Sequence, residues 1–310
     1  MIVTCVFTGS VLDGGFTEAG LRGLQRARDA FGVDVWQSEG TRPETARMIQ
    51  SLRDVIARRP ALVVAHGGQF NEAAQAVAAE HPDIRFAVTQ GSVTGPNLAS
   101  YDVLQEQSAF LAGVLAALTT RTGVVGHLSG IRVRPGLKGR AAFVAGALHA
   151  NADVRVLTSF CGTQDDGETA RRFADAQIGA GVDVLFTMLN AGRGGATEAC
   201  RATGARQIGN VRDWVAVDPR SFVGSAIADV GIGVHRAVED QVRGRFPAGS
   251  ITRIGLGDPA AVRLSMADDG PASVLATVDA VRVALGDGSL SVPDTYDGAE
   301  FAPQGAQGGS

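Results

Sequence analysis

Strand-length apolar stretches alternate with helix-length amphipathic ones along this chain, and the alternation runs through twice. Residues 2–8 (IVTCVFT) form a β-branched apolar run that stops at Gly9 and Ser10, the mark of a buried parallel strand. Leu21, Leu24, Ala27 and Phe31 then fall on one face of a helix over 17–31. Strand patterns return at 33–36, 61–65 and 85–89, separated by an arginine-rich helix over 44–58 and an alanine-rich helix over 71–80. Such alternation predicts a parallel sheet covered by helices on both faces.

The pattern restarts at an apolar helix over 105–119. Strands follow at 123–128, 154–158, 182–188 and 207–209, with helices at 139–150, 168–179 and 196–203 between them. No Pro/Ser-rich linker separates the arrays, so the join near residues 101–105 is predicted to be a tight crossover, a hinge. Beyond it, 222–227 and 263–266 read as strands, and 231–245 and 271–285 as helices. The fold class expected is α/β with two lobes, each a parallel sheet flanked by helices. The first lobe is expected to hold residues 1–103 plus about 223–249, and the second 104–222 plus about 250–300. The Gly- and Gln-rich stretch 301–310 is expected to be a flexible tail.

At 310 residues and 45% hydrophobic content, both lobes have enough apolar material for a core. Only 19% of residues are charged, no long run has one sign, and the net charge is −4, so a nucleic-acid partner is not expected. Lys138 is the only lysine, which leaves one candidate for Schiff-base chemistry. Cys5, Cys161 and Cys200 have neither CxxC spacing nor an even count, and five scattered histidines lack HxxxH or HxH spacing. Neither a metal site nor a cofactor is predicted. No stretch of about 18 apolar residues exists to span a membrane.

Open parallel sheets bind ligands at the carboxyl ends of their strands. After the first strand come Ser10, Asp13 and Phe16 among glycines that let the backbone approach a ligand. Asp13 there fits a helix cap as well as a ligand contact. Gly68, Gln69 and Phe70 follow the third strand, and Gln90 the fourth. Side-chain amides carry both donors and acceptors, as a heterocycle edge does. In the second array the strand ends bring Phe160, Asn190, Asp213 and Trp214. Trp36, Phe70, Phe160 and Trp214 are aromatics suited to stacking on a planar ring in a chain only 5% aromatic. Asp165-Asp166 lies in a Gly-flanked turn and reads as a helix start. There is no GxSxG elbow and no clear acid–base pair, so no catalytic residue is predicted.

Several segments in fixed order resemble the basic membrane protein family, the purine- and nucleoside-binding subunits of ABC importers. They are residues 9–16 (GSVLDGGF), 81–86 (HPDIRF), 107–113 (QSAFLAG), 122–126 (TGVVG), 181–186 (GVDVLF), 208–209 (IG) and 285–294 (LGDGSLSVPD). The resemblance covers nearly the whole chain. It implies a two-lobed periplasmic-binding-protein-like fold (type I) with three hinge crossings, a small-molecule ligand and an ABC permease as partner. It makes Asp13 and Phe16 ligand contacts of the first lobe, sets Phe70 beside the ring, and makes Asp213 a ligand-binding carboxylate.

Departures from the family pattern refine that expectation. Gly15 and Thr17 replace a serine and an asparagine beside Phe16, and Val211 stands where an aspartate is usual. Nucleoside-binding members carry a sugar-contacting lysine in the segment matching 222–229, where this chain has Ala228 or its neighbour. The expectation is therefore a purine-type nucleobase or related flat heterocycle, bound in an interlobe cleft for import. The alternatives are a cytoplasmic enzyme on the same fold (a hydrolase or lyase using Asp13, Asp213 or His66) and a ligand sensor. Only Met1 to Thr4 precede Cys5, too few for a leader. The expected place is extracytoplasmic if a leader has been removed, and cytoplasmic if the sequence is complete.

Overall fold

The computed structural model describes residues 1–267 and 270–303. The first stretch runs β1 (Ile2–Thr8), α1 (Phe16–Phe31), β2 (Asp34–Thr41), α2 (Thr45–Ile56), β3 (Leu62–His66), α3 (Asn71–Glu80), β4 (Arg85–Thr89) and β5 (Leu98–Val103). Next come α4 (Gln105–Thr119), β6 (Val124–Ser129), α5 (Arg134–Ala150), β7 (Arg155–Phe160), α6 (Gly167–Gly179), β8 (Val184–Met188), α7 (Arg193–Thr203), β9 (Arg206–Val211) and β10 (Phe222–Ala228). The chain closes with α8 (Gly231–Val242), β11 (Ile251–Ile254), β12 (Val262–Met266) and α9 (Ala272–Gly286). Two compact units result: Met1–Val103 with Asp229–Ile254, and Leu104–Ala228 with the described residues from Gly255 onward.

The first unit is a six-stranded sheet in the order β11-β5-β4-β3-β1-β2, parallel throughout. Its central strands β1, β3 and β4 are largely apolar on both faces because both faces are covered. Val3, Cys5 and Phe7 of β1 pack with Leu24, Ala27, Val234 and Val238 of α1 and α8. Val6, the alternate residue, packs on the other side with Met48, Leu52, Ala74 and Val77 of α2 and α3. A period of two in β1 thus feeds two cores at once.

The second unit repeats the order as β12-β10-β9-β8-β6-β7, with β12 antiparallel to β10 and the rest parallel. Helices α6 and α7 cover one face over Leu128, Leu185, Ala174 and Ala199. On α4 and α5, Gly113 and Gly146 face each other's neighbours. A Cβ on Gly113 would lie 2.0 Å from the Phe143 carbonyl oxygen, and one on Gly146 2.0 Å from that of Phe110. Only glycine lets these two helices approach so closely.

Strand pairing moves two of the expected boundaries. β10 pairs with β9 and β12 and so remains in the second unit, although residues from about 223 were expected in the first. β11 pairs with β5 and so belongs to the first, although residues from about 250 were expected in the second. The tail also begins later than expected. The Phe301 N–H donates to the Thr158 carbonyl at 2.8 Å, and the Ser159 hydroxyl donates to the Phe301 carbonyl at 2.7 Å, tying the chain to β7. Residues 304–310 of that expected tail lie outside the described residues. No described helix is long and apolar enough to cross a membrane.

Candidate functional site

In the first unit the carboxyl ends of β1, β3 and β4 carry Ser10, Asp13, Phe16, Gly68, Gln69 and Gln90. Asp13 is a helix cap. Its Oδ1 accepts the N–H groups of Gly15 at 2.9 Å and Glu18 at 3.0 Å, and Oδ2 accepts that of Thr17 at 2.9 Å. A carboxylate at the positive end of α1 satisfies amides that have no partner within the helix. Ser10 makes a smaller turn of the same kind, accepting the Leu12 N–H at 3.1 Å.

Behind this loop lies His66, 1% exposed, with the Phe16 ring 4.4 Å away centroid to centroid. Its Nε2 is 3.0 Å from the Phe16 carbonyl and its Nδ1 2.8 Å from the Thr89 hydroxyl. A carbonyl only accepts, so the network puts the proton on Nε2, and Thr89 donates to Nδ1 while accepting the Gly67 N–H at 3.2 Å. Burial lowers the His66 pKa from 6.5 to about 4, against smaller opposing effects of the Phe16 carbonyl, Asp13 and Asp229. Both ring nitrogens are engaged and the ring is neutral near pH 7. His66 is a strut for α1, not an acid or base.

The amides divide. Gln69 is exposed, and its Nε2 donates to the Thr8 hydroxyl at 2.8 Å. Gln90 is buried and left-handed, with φ 52°. Its Nε2 donates to the Val103 carbonyl at 3.0 Å and its Oε1 accepts the Val103 N–H at 2.7 Å, so it fastens the end of β5 where the chain leaves the unit. A Cβ on Gly68 would meet the Gln90 carbonyl oxygen at 2.5 Å, which explains the glycine without a ligand.

Two expected ring-stackers stand elsewhere. Phe70 is fully buried in the α2/α3 core. Trp36 aligns with Thr4 on β2, several residues before the strand end where Thr41 aligns with Thr8. Its ring carries the Arg58 guanidinium 3.8 Å from the centroid. Aromatic character drew both residues into the expectation, and the resemblance drew in Phe70; register sets Trp36 within β2, and the Phe70 ring, just beyond β3, turns into the core. An open polar depression of about 410 Å³, lined by Thr41, Arg42, Arg47 and Gln50 among others, holds none of the candidates.

In the second unit Phe160 ends β7, Asn190 follows β8, and Asp213 and Trp214 follow β9. Two guanidiniums approach the Phe160 ring, Arg132 at 5.0 Å and Arg140 at 5.3 Å from its centroid, and Glu300 binds both arginines. The Asn190 N–H donates to the Gln164 carbonyl at 3.0 Å, joining the loops after β7 and β8. Asp166 caps α6, accepting from Glu168 N–H at 3.0 Å and Thr169 N–H at 3.3 Å, the helix start its sequence suggested.

The end of β9 is the most unusual place in the unit. Val211 has φ 69°, a left-handed backbone that a β-branched side chain strongly resists. Asp213 Oδ1 accepts the Ala216 N–H at 3.2 Å and the Ser225 hydroxyl at 3.4 Å. Trp214 stacks on Phe222 at 5.7 Å, and its Nε1 donates to the Asn210 carbonyl at 2.9 Å. Arg193 and Arg212, absent from the sequence expectation, each hold a guanidinium 4.2 Å from the Trp214 ring centroid. Val211 and Gln90, which like Arg59 of the first unit is left-handed, sit at the ends of strands in corresponding places of the two sheet orders. Among the described residues no group of His, Cys, Asp and Glu could hold a metal ion.

A family model described as ABC transporter substrate-binding protein, PnrA-like, matches residues 2–278. The chain belongs to this family. Its fold is that of a solved ABC transporter solute-binding protein from Aeropyrum pernix, with a TM-score of 0.83 at 21% identity, covering 96% of this chain and 95% of that one. Basic membrane protein A2 of Borrelia garinii subsp. bavariensis is 25% identical over 261 residues, 82% of this chain and 77% of that protein. The ABC transporter nucleoside-binding protein BmpA of Lactococcus lactis subsp. cremoris is 24% identical over 245 residues, 73% of this chain and 69% of that protein. The chain is thus a solute-binding protein of the ABC transporter type with a periplasmic-binding-protein-like α/β fold. An enzyme or a sensor on the same fold is not favoured, since the family model describes ABC transporter substrate-binding proteins.

Proposed function

We propose that the solute is a free purine-type base or a related flat heterocycle, delivered to an ABC permease outside the cytoplasmic membrane. The observation that carries this reading is the lack of an ammonium beside Asp213. The group 3.4 Å from its carboxylate is the neutral hydroxyl of Ser225 on β10. Beyond Ser225 that strand continues as Ala226, Ile227 and Ala228, all buried. The one lysine of the chain, Lys138, is paired with Glu106 between α5 and α4 and is unavailable to a sugar. A charged hydrogen bond contributes about 1.5–3 kcal/mol, so a ribose here forgoes roughly tenfold to hundredfold in affinity.

Titration calorimetry with adenine, guanine and hypoxanthine beside their nucleosides tests the reading. The bases are expected to bind at least as tightly as the nucleosides. A nucleoside that binds much more tightly than its base overturns it. The nucleoside specificity in the name of the Lactococcus relative makes this the sharpest comparison.

A further inference from the structure

Two arginines are buried in the described part of the molecule, and their surroundings differ. Arg140, 7% exposed, is neutralised by Glu300 at 2.6 Å. The half-buried Lys138 is likewise neutralised by Glu106. Arg193, only 3% exposed, has no carboxylate. Its Nη2 donates to the Leu189 carbonyl and to Asn210 Oδ1, both neutral, and its buried Nε has no partner. Burying a charge without an opposite one is costly, and this chain avoids it elsewhere.

The neighbourhood adds positive charge instead of removing it. Arg212 lies 4.2 Å from the same Trp214 ring centroid as Arg193 and makes no ion pair with a described residue. Asp213, next in the chain, turns its Oδ1 to Ala216 and Ser225 and pairs with neither arginine. Arg193 opens α7, whose first turn holds no acidic residue, so the positive end of the helix dipole adds to the field. Burial, and secondarily Arg212, lower the Arg193 pKa from 12.5 to about 9, which still leaves the group charged near pH 7.

The pair is also held in place. Asn210 accepts from Arg193 through its side chain and from Trp214 Nε1 through its carbonyl. The Arg212 N–H donates to that carbonyl at 2.8 Å, across the left-handed Val211. A strained turn that brings a second cation up to a buried, uncompensated one would be selected against unless something negative arrives there.

We infer that Arg193 and Arg212 receive an anionic group of the solute, an oxyanion such as a ring carboxylate or an ionised ring oxygen, beside Trp214. This rests on the reading above that the solute is a flat heterocycle, and narrows it to an acidic one. Two guanidiniums give an oxyanion several charge-assisted N–H donors, and the bond that completes the Arg193 Nε is the one the protein leaves unmade.

Matched pairs test this by calorimetry on the full chain: urate against hypoxanthine, and orotate against uracil, with inorganic phosphate as an anion that is not a heterocycle. The acidic member is expected to bind at least about tenfold more tightly, the effect of a charge-assisted bond, and to weaken as salt rises. Arg193→Met is expected to abolish the preference while the ligand-free protein melts at the same or a higher temperature, because an uncompensated buried cation is gone. Arg212→Gln, at a more accessible site, is expected to reduce the preference without loss of fold. The inference is overturned if neutral and acidic members bind alike, a result that leaves the heterocycle reading standing. It is overturned too if Arg193→Met lowers the melting temperature, Arg193→Lys restores it, and neither alters the preference, since Arg193 is then a structural tie. Protection by phosphate that Arg193→Met removes, with no heterocycle bound, supports the anion site and overturns the heterocycle reading.

Discussion

Acid weakens the first unit through His66, and the size of the effect follows from its surroundings. The folded ring has a pKa of about 4 against an ordinary 6.5. Between those values the unfolded chain binds a proton that the folded chain refuses. Stability therefore rises with pH across this window, is complete above about pH 6.5, and is lost as the pH falls toward 4. Each unit of difference is worth about 1.4 kcal/mol, so roughly 3 kcal/mol is at stake. That is a large share of the ~5–15 kcal/mol of a typical domain. His127 does the same in the second unit, where burial and secondarily Arg140 lower its pKa to about 3. The chain's two tryptophans, Trp36 and Trp214, fall one in each unit, so Trp36→Phe and Trp214→Phe backgrounds let fluorescence follow each unit separately. Urea unfolding at about pH 7, 5.5 and 4.5 should show the Trp36 transition moving to lower urea as the pH falls. In His66→Gln, which keeps a donor for the Phe16 carbonyl but does not titrate, most of that slope should vanish. An unchanged slope in the variant, or an NMR titration of His66 near 6.5, would refute the reasoning.

Two substitutions test the framework around the candidate residues. Asp13→Ala removes the acceptor of the Gly15 amide and of two α1 amides, and is expected to cost the first unit about 1–2 kcal/mol, with Asp13→Asn losing less; urea unfolding followed at Trp36 reads both, and a loss well under about 0.5 kcal/mol contradicts the cap. Gly113→Val drives a side chain into the Phe143 carbonyl and forces α4 from α5, an overpacking worth about 1–3 kcal/mol or more, and unaltered unfolding at Trp214 would contradict that close approach.

The repeated strand–helix alternation was enough to anticipate two largely parallel sheets, because central strands buried on both faces are mostly apolar, although the antiparallel β12 at the edge of the second sheet was not foreseen. β5 escaped notice because Ser100, Tyr101 and Asp102 interrupt its apolar run. All three are buried, and Tyr101 donates its hydroxyl to Asp240 at 2.9 Å, a partner far off in the sequence. Helix α5 begins at Arg134, ahead of the expected 139–150, with Pro135 among its opening residues, where proline is well suited. Asp13 and Gln90 were legible as polar groups at strand ends, but whether each faces a ligand or its own backbone depends on loop geometry that spacing does not encode. Phe70 and Trp36 show the same limit for aromatics. Arg193 carried no signal at all, since an arginine in a Gly-rich loop reads as solvated, and only its burial without a carboxylate singles it out.

Mass spectrometry of the solute released from protein purified without added ligand tests the central claim most directly. The account predicts one small, flat heterocycle without a sugar, acidic in solution, and its loss from Arg193→Met protein that is still folded. A nucleoside with its ribose intact, or a free sugar, would contradict it.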